Sequence, residues 1–270
     1  MTDATMTSSP HAATIPSATV LVVRDGPAGL EVFMLVRNRM VDFASGALVF
    51  PGGKVDAQDR SAAWSGLAPV KAPHPELSYW VAALRETFEE TGLLLADRMS
   101  TSAPVEAAVA IALTVSSQSA VAEGARTFED LIASEGLRLA TERMVPFAHW
   151  ITPATMPKRF DTHFFLAQAP EGQIAVHDGG ETVESMWISP RQALVDADTG
   201  MRVLVPATAL NLQKLAKAAT VKDAFAQARA SRIVPITPTV AKADGGVRIS
   251  IPADAGYETT SVFVARATPA

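Results

Sequence analysis

Apolar positions cluster around Val20-Leu21-Val22-Val23, so Ser17 to Arg24 reads as a strand. Glu31 to Arg37 reads as a second strand. Asp25-Gly26-Pro27-Ala28-Gly29 between them is turn chemistry, which predicts a hairpin. Ala47 to Phe50 makes a third, shorter strand, and a proline-rich stretch at 57–77 reads as an inserted loop. The period then changes. Val81, Leu84 and Phe88 fall three and four apart, the stripe of an amphipathic helix, and Gly92 suits its C-cap. Residues 97–145 read as helical throughout, ending on Leu137 to Met144. Strand patterns return at Phe160 to Ala167 and at Thr182 to Ile188. Ser189 and Pro190 fit the N-cap and first position of a short helix. Pro206 opens one last helix over 207–230, followed by a Pro/Gly-rich segment with weak alternation at Val247, Ile249 and Ile251.

This pattern predicts a single elaborated domain. A flexible tail covers 1–16, the main unit spans 17–206 with insertions at 57–77 and 97–145, and the helix and extended segment of 207–270 pack on the same unit.

Composition narrows the class. Hydrophobic residues make up 48% of the 270 positions and charged residues 19%, which suits a packed globular chain rather than a disordered one. A net charge of −5 argues against a nonspecific nucleic-acid binder but leaves phosphate-bearing small molecules open. The absence of cysteine removes disulfides, thiolate metal sites and a cysteine nucleophile, and fits a cytoplasmic protein. The longest apolar tract, Pro104 to Val115, is too short to span a membrane, so no membrane partner is expected. Met1 to Pro16 has neither Lys nor Arg and no apolar centre, unlike a signal peptide.

The helix with the apolar stripe also carries chemistry. Glu86, Glu89 and Glu90 are related by steps of three and four, so their carboxylates gather on one face. Such a cluster can hold a hard divalent cation, Mg²⁺ or Mn²⁺, through oxygen ligands. The plain alternative is a solvated helix face. Against it stands the Pro51-Gly52-Gly53 turn after an apolar strand, with a further glycine closing the helix.

Phe50-Pro51-Gly52-Gly53 and Arg85-Glu86-Thr87-Phe88-Glu89-Glu90-Thr91-Gly92 resemble the Nudix box. Its usual form is Gly, five residues, Glu, seven residues, then Arg-Glu-apolar-x-Glu-Glu-x-Gly-apolar. Thr87 takes the apolar slot, and Gly53 is the opening glycine. The 31 residues 54–84 separate Gly53 from Arg85 where the usual box has 13, so 18 are inserted. The box's first Glu has no fixed counterpart; Asp56 after the turn and Glu76 before the helix are the two acids considered as partners for Arg85. Trp150-Ile151-Thr152-Pro153 and Pro157-Lys158-Arg159-Phe160-Asp161-Thr162-His163-Phe164-Phe165 are similar to the branch of this superfamily with a long insert in the box, which includes peroxisomal-type coenzyme A diphosphatases and bacterial relatives. The resemblance covers about residues 17–257. The carboxyl end, Ala-Thr-Pro-Ala, lacks a Ser-Lys-Leu peroxisomal address.

The resemblance implies an α/β fold: a Nudix α/β/α sandwich with a mixed sheet and an inserted helical subdomain. It implies metal-dependent hydrolysis of a nucleoside diphosphate derivative, foremost coenzyme A or acyl-CoA, giving 3′,5′-ADP and (acyl-)phosphopantetheine. ADP-ribose, NADH or nucleoside triphosphates are the competing substrates, and a noncatalytic ligand sensor is the competing class. It also implies that Glu86, Glu89, Glu90 and the Gly52 carbonyl hold Mg²⁺ or Mn²⁺, that Arg85 orients a carboxylate, and that one of the three glutamates doubles as general base. Glu184 is a second candidate acid, weighed against a solvent-facing strand residue. Arg37, Arg39, Lys158 and Arg159 are candidates for phosphate contact and Phe160 for the pocket wall; solvated charges and core aromatics are the plain alternatives. His163, His74 and His177 are read as structural or surface residues. A homodimer is compatible with the sequence.

Overall fold

The computed structural model describes residues 13–38, 46–70, 75–175 and 182–265. Strands β1 (Ile15–Gly26) and β2 (Gly29–Arg37) form the expected hairpin, turning at Pro27-Ala28. Successive residues of β1 point to opposite faces, and both faces are covered. Val20 and Val22 enter one core, while Leu21 and Val23 enter the other. That double burial explains why the strand reads as an unbroken apolar run.

The short strands β3 (Leu48–Val49) and β4 (Gly52–Lys54) flank the Pro-Gly-Gly turn. Helix α1 (Trp64–Leu67) lies within the insert, and α2 (Leu77–Thr91) is the carboxylate-bearing helix. Next come β5 (Ala96–Arg98), α3 (Ala107–Ala122), α4 (Phe128–Ser134), β6 (Leu137–Leu139), β7 (Met144–Ile151), β8 (Phe160–Gln168) and β9 (Thr182–Ile188). The chain ends with α5 (Pro190–Asp198), α6 (Pro206–Leu215), α7 (Val221–Ala230), β10 (Pro235–Ile236), β11 (Thr239–Ala243), β12 (Gly246–Ser250) and β13 (Ser261–Ala265).

Among the described residues, eight strands build the central sheet in the order β10-β7-β8-β1-β2-β3, with β4 also on β1 and β9 also on β2. It is mixed: β1 runs parallel to β8, and β10 parallel to β7, among antiparallel neighbours. Helices cover both faces. α2, α3 and α4 pack with Val20, Phe33 and Phe165 on one side; α6 and α7 pack with Leu21, Met34 and Leu166 on the other.

The expectations for several segments are corrected. Residues 137–144 are not helical: β6 pairs with β5, and β7 begins at Met144. The helices of 107–134 also contribute Leu113, Val121, Phe128, Leu131 and Ile132 to the same core as the sheet. The continuous helix expected over 207–230 breaks between α6 and α7, where the Thr220 hydroxyl accepts from the Asp223 N–H and caps a new helix. The insert at 57–77 is more than loop, since Asp59 and Trp64 are buried in it. The weak alternation at the end of the chain becomes an antiparallel sheet, β11-β12-β13. Tyr257 anchors that tail: its hydroxyl donates to Asn211 Oδ1 at 2.6 Å and accepts from Trp150 Nε1 at 3.2 Å. Among the described residues, no helix is long and apolar enough to cross a membrane.

Candidate active site

Helix α2 lies over the Pro-Gly-Gly turn because its two glycines have no side chains to hold the helix off. A Cβ on Gly53 would stand 2.4 Å from the Glu86 carboxylate, and Gly52 has φ +152 with the Ala18 carbonyl 2.3 Å from where its Cβ would be. The Gly52 N–H donates to Glu90 Oε2 at 2.8 Å, tying the turn to the helix. At the other end, Gly92 takes the left-handed cap (φ 70) and its N–H bonds the Phe88 carbonyl. Thr87, in the apolar slot of the motif, hides its hydroxyl by donating to the Ala83 carbonyl at 2.7 Å.

Arg85 is the hub. It is 2% exposed, far from an ordinary surface ion pair. Its Nη1 donates to Glu86 Oε1 at 3.0 Å and Glu89 Oε2 at 2.9 Å. Nη2 donates to the Lys54 carbonyl, while Nε and Nη2 together grip both oxygens of Asp59, all at 2.9 Å. Five bonds use all five guanidinium N–H groups. Burial opposes the Arg85 charge, but the hydrogen bonds to Asp59 and the charges of Glu86 and Glu89 raise its pKa above the ordinary value.

Asp59 is the residue that sequence reasoning missed. It is 1% exposed, and it also accepts from the Asp56 N–H at 2.8 Å. Asp56 itself stays 3.8 Å from Arg85, and Glu76 pairs with Arg60 instead. The signal was present: the five residues 54–58 follow Gly53 and the next is Asp59, the slot of the box's first acid. The whole insertion therefore falls between Asp59 and Arg85.

The donor set fits a hard dication. Asp59, Glu86 and Glu89 share a single guanidinium that has no N–H to spare, and Glu90 accepts from the Gly52 N–H beside them, leaving excess negative charge. Burial pushes the Glu86 carboxyl up to about 7 against the pull of Arg85, with the Glu89 charge adding to the rise. Glu89 is raised for the same first reason. A divalent ion held by carboxylates relieves both burdens.

The remaining sequence candidates are distributed around the sheet. Arg159 precedes β8, where its backbone carbonyl accepts from the Ile15 N–H and its Nε donates to the Thr152 carbonyl at 3.1 Å. Lys158 sits 5.4 Å over the Phe160 ring. This is the sheet end that carries Ser17, which pairs with Lys54 on one side and Thr162 on the other. Arg37 closes β2, and its N–H bonds the Ala47 carbonyl. Arg39, His74 and His177 lie outside the described residues.

Glu184 is corrected. Its partner on β2 is Val36, which lies with Met34 in the core opposite α2, and Met186 and Ile188 follow on that same face. The carboxylate, 49% exposed, pairs with both Nη atoms of Arg202 at 2.8 Å. The register of β9, not its composition, turns Glu184 away from the box helix.

A mixed sheet between helical layers, with this Gly-Gly turn, buried Arg85 and three carboxylates, defines a Nudix hydrolase, a class whose members generally use divalent metals. Residues 71–215 match the NUDT19 Nudix domain family, and the chain belongs to that family. It is 31% identical to the acyl-coenzyme A diphosphatase NUDT19 of Homo sapiens, over 95% of this chain and 79% of that one. The Gallus gallus counterpart is 27% identical over 86% of this chain and 74% of its own length. Among solved structures, a NUDIX hydrolase from Alicyclobacillus acidocaldarius superposes with a TM-score of 0.64 at 28% identity, covering 79% of this chain and 96% of that one.

Proposed function

We propose that this chain hydrolyses the diphosphate bond of coenzyme A or acyl-CoA, releasing 3′,5′-ADP and (acyl-)phosphopantetheine. The single observation that carries the chemistry is the Arg85 hub, which fixes Glu86 and Glu89 beside Glu90 and the glycine turn. The choice of substrate rests on the acyl-coenzyme A diphosphatases that the chain resembles over most of its length.

In this reading Glu86, Glu89, Glu90 and the Gly52 carbonyl hold Mg²⁺ or Mn²⁺. The bound ion would screen the diphosphate and acidify the attacking water. The chain's own residues do the rest. Arg85 holds two carboxylates in register, so no reorganisation is needed when charge develops. One of them, Glu86 or Glu89, takes a proton from the water as its oxygen bonds to one phosphorus. The bridging P–O bond breaks, and its electron pair leaves with the second phosphate. Lys158 and Arg159, at the sheet end shared with Lys54, meet outlying phosphate, with Arg37 as a further cation and Phe160 as an apolar wall.

The test is hydrolysis by purified protein of CoA, acetyl-CoA, a long-chain acyl-CoA, ADP-ribose, NADH and nucleoside triphosphates, with Mg²⁺ or Mn²⁺ and products resolved by mass. Release of 3′,5′-ADP with CoA compounds preferred supports the reading. Preference for another compound keeps the box chemistry and overturns the substrate. Glu89→Gln and Glu90→Gln should each lower kcat by roughly 10²-fold or more with the fold intact, because a positioned charge is lost. Unchanged turnover in both would remove these residues from the site.

A further inference from the structure

Away from the carboxylates, strands β7 and β8 bring His149, Asp161 and His163 together, with ligand atoms all within 4.8 Å of one another. His149 and His163 are direct cross-strand partners. Their rings stack at 3.9 Å with planes 18° apart, and His149 Nε2 lies 2.5 Å from Asp161 Oδ1. Asp161 is two residues before His163 on β8 and shares its face. Tyr79 of α2 packs edge-on against His163 at 4.5 Å. All three side chains are partly exposed, so an ion in solution can reach them.

The place of this cluster follows from register. Gly53, under Glu86, pairs with Ala18; Ala18 pairs with His163; His163 pairs with His149. The cluster is on the α2 side of the sheet, with His163 two strand spacings or about 10 Å from Gly53 and His149 one strand further.

We propose that His149, Asp161 and His163 form a binding site for a divalent transition-metal ion of the Zn²⁺ class, distinct from the hard-cation site on α2. Ligand chemistry separates the two. Imidazole nitrogens suit Zn²⁺ and its neighbours, whereas Mg²⁺ prefers an all-oxygen shell such as Glu86, Glu89 and Glu90 offer. Geometry agrees: two imidazoles and one carboxylate leave the fourth tetrahedral position open. Ligand atoms on such an ion lie roughly 3.4 Å apart, given bonds of about 2.0–2.1 Å. Side-chain rotation closes the gap, because paired strands already fix all three backbones.

The experiment uses the full chain stripped of metal by a chelator, then titrated calorimetrically with Zn²⁺ in millimolar Mg²⁺. The expected result is one Zn²⁺ per chain. Even an outer partner of a ligand is worth about 10–100-fold in metal affinity, so His163→Gln, His149→Gln and Asp161→Asn should each weaken binding at least about tenfold. Glu89→Gln should leave it unchanged. Co²⁺ should give the visible bands of a low-coordinate site in the wild type and lose them in His163→Gln, with melting curves confirming that each variant is folded. Three results would overturn the site: no Zn²⁺ bound in Mg²⁺, binding unaffected by both histidine variants, or binding lost in Glu89→Gln. The readout is metal occupancy, not turnover, so failure here is separable from failure of the diphosphatase reading.

Discussion

Arg85 and Asp59 form a buried, two-pronged ion pair that has no solvent to fall back on. Removing Asp59 leaves two buried Arg85 N–H groups without their acceptor, and breaking a buried pair in this way costs about 3–5 kcal/mol. Asp59→Ala should lose stability on that scale in urea unfolding; a loss under about 1 kcal/mol would class the pair with exposed bridges. The same substitution frees Arg85, and with it Glu86 and Glu89, so turnover should fall as well. Glu184 gives the opposite expectation. It pairs with Arg202 on the face away from α2, so Glu184→Gln should leave kcat within about twofold, as expected for a residue making no contact with the transition state. A loss of orders of magnitude would restore it as the base. Asp59 was legible by counting forward from Gly53. Glu184 was not excludable, because its face depends on pairing with Val36.

At the scale of elements, the box helix is held from two sides. The Gln118 Nε2 of α3 donates to the Glu89 carbonyl at 3.0 Å, and the Thr114 hydroxyl donates to the Gly92 carbonyl at 2.7 Å. The insert supports it from the other direction. Trp64 meets Phe128 at 6.0 Å, and Phe128 stacks on Phe88 of α2 at 5.6 Å. Trp64→Ala should therefore cost about 3–5 kcal/mol, the range for emptying a large aromatic from a core. Chemical denaturation reads this directly, and an unchanged midpoint would return the insert to a peripheral loop. Elements with a clean period or cap were legible in sequence, as with α2 and the Ser189 cap. Residues 137–144 were not, because their apolar spacing fits a helix turn and a strand alike, and pairing with β5 decides between them.

For the whole molecule, the carboxylate cluster links stability to pH and metal. Glu86 is raised to about 7 by burial, from an ordinary carboxylate value of 4.5. The metal-free fold binds that proton more tightly than the unfolded chain. Its contribution to stability is full below about 4.5 and is lost as pH rises through about 7. A divalent ion compensates the charge that appears over this window. The rise in melting temperature on adding Mg²⁺ or Mn²⁺ should thus be larger at pH 8 than at pH 5. An equal rise at both would mean that the metal binds elsewhere.

The sequence by itself determined the local pieces: the β1–β2 hairpin, the α2 helix, the three glutamates on one of its faces, and the glycines that must lie beneath them. These follow from periods of two and three to four and from steric limits on a few backbone positions. Tertiary structure alone decided which residues meet across long separations. It turned Glu184 toward Arg202 and set His149 against His163. The physical reason is register. A one-residue slip between strands exchanges every side chain between faces, and the packing of both cores fixes the register on either side of the shifts at Val36/Arg37 and Pro146/Ala148.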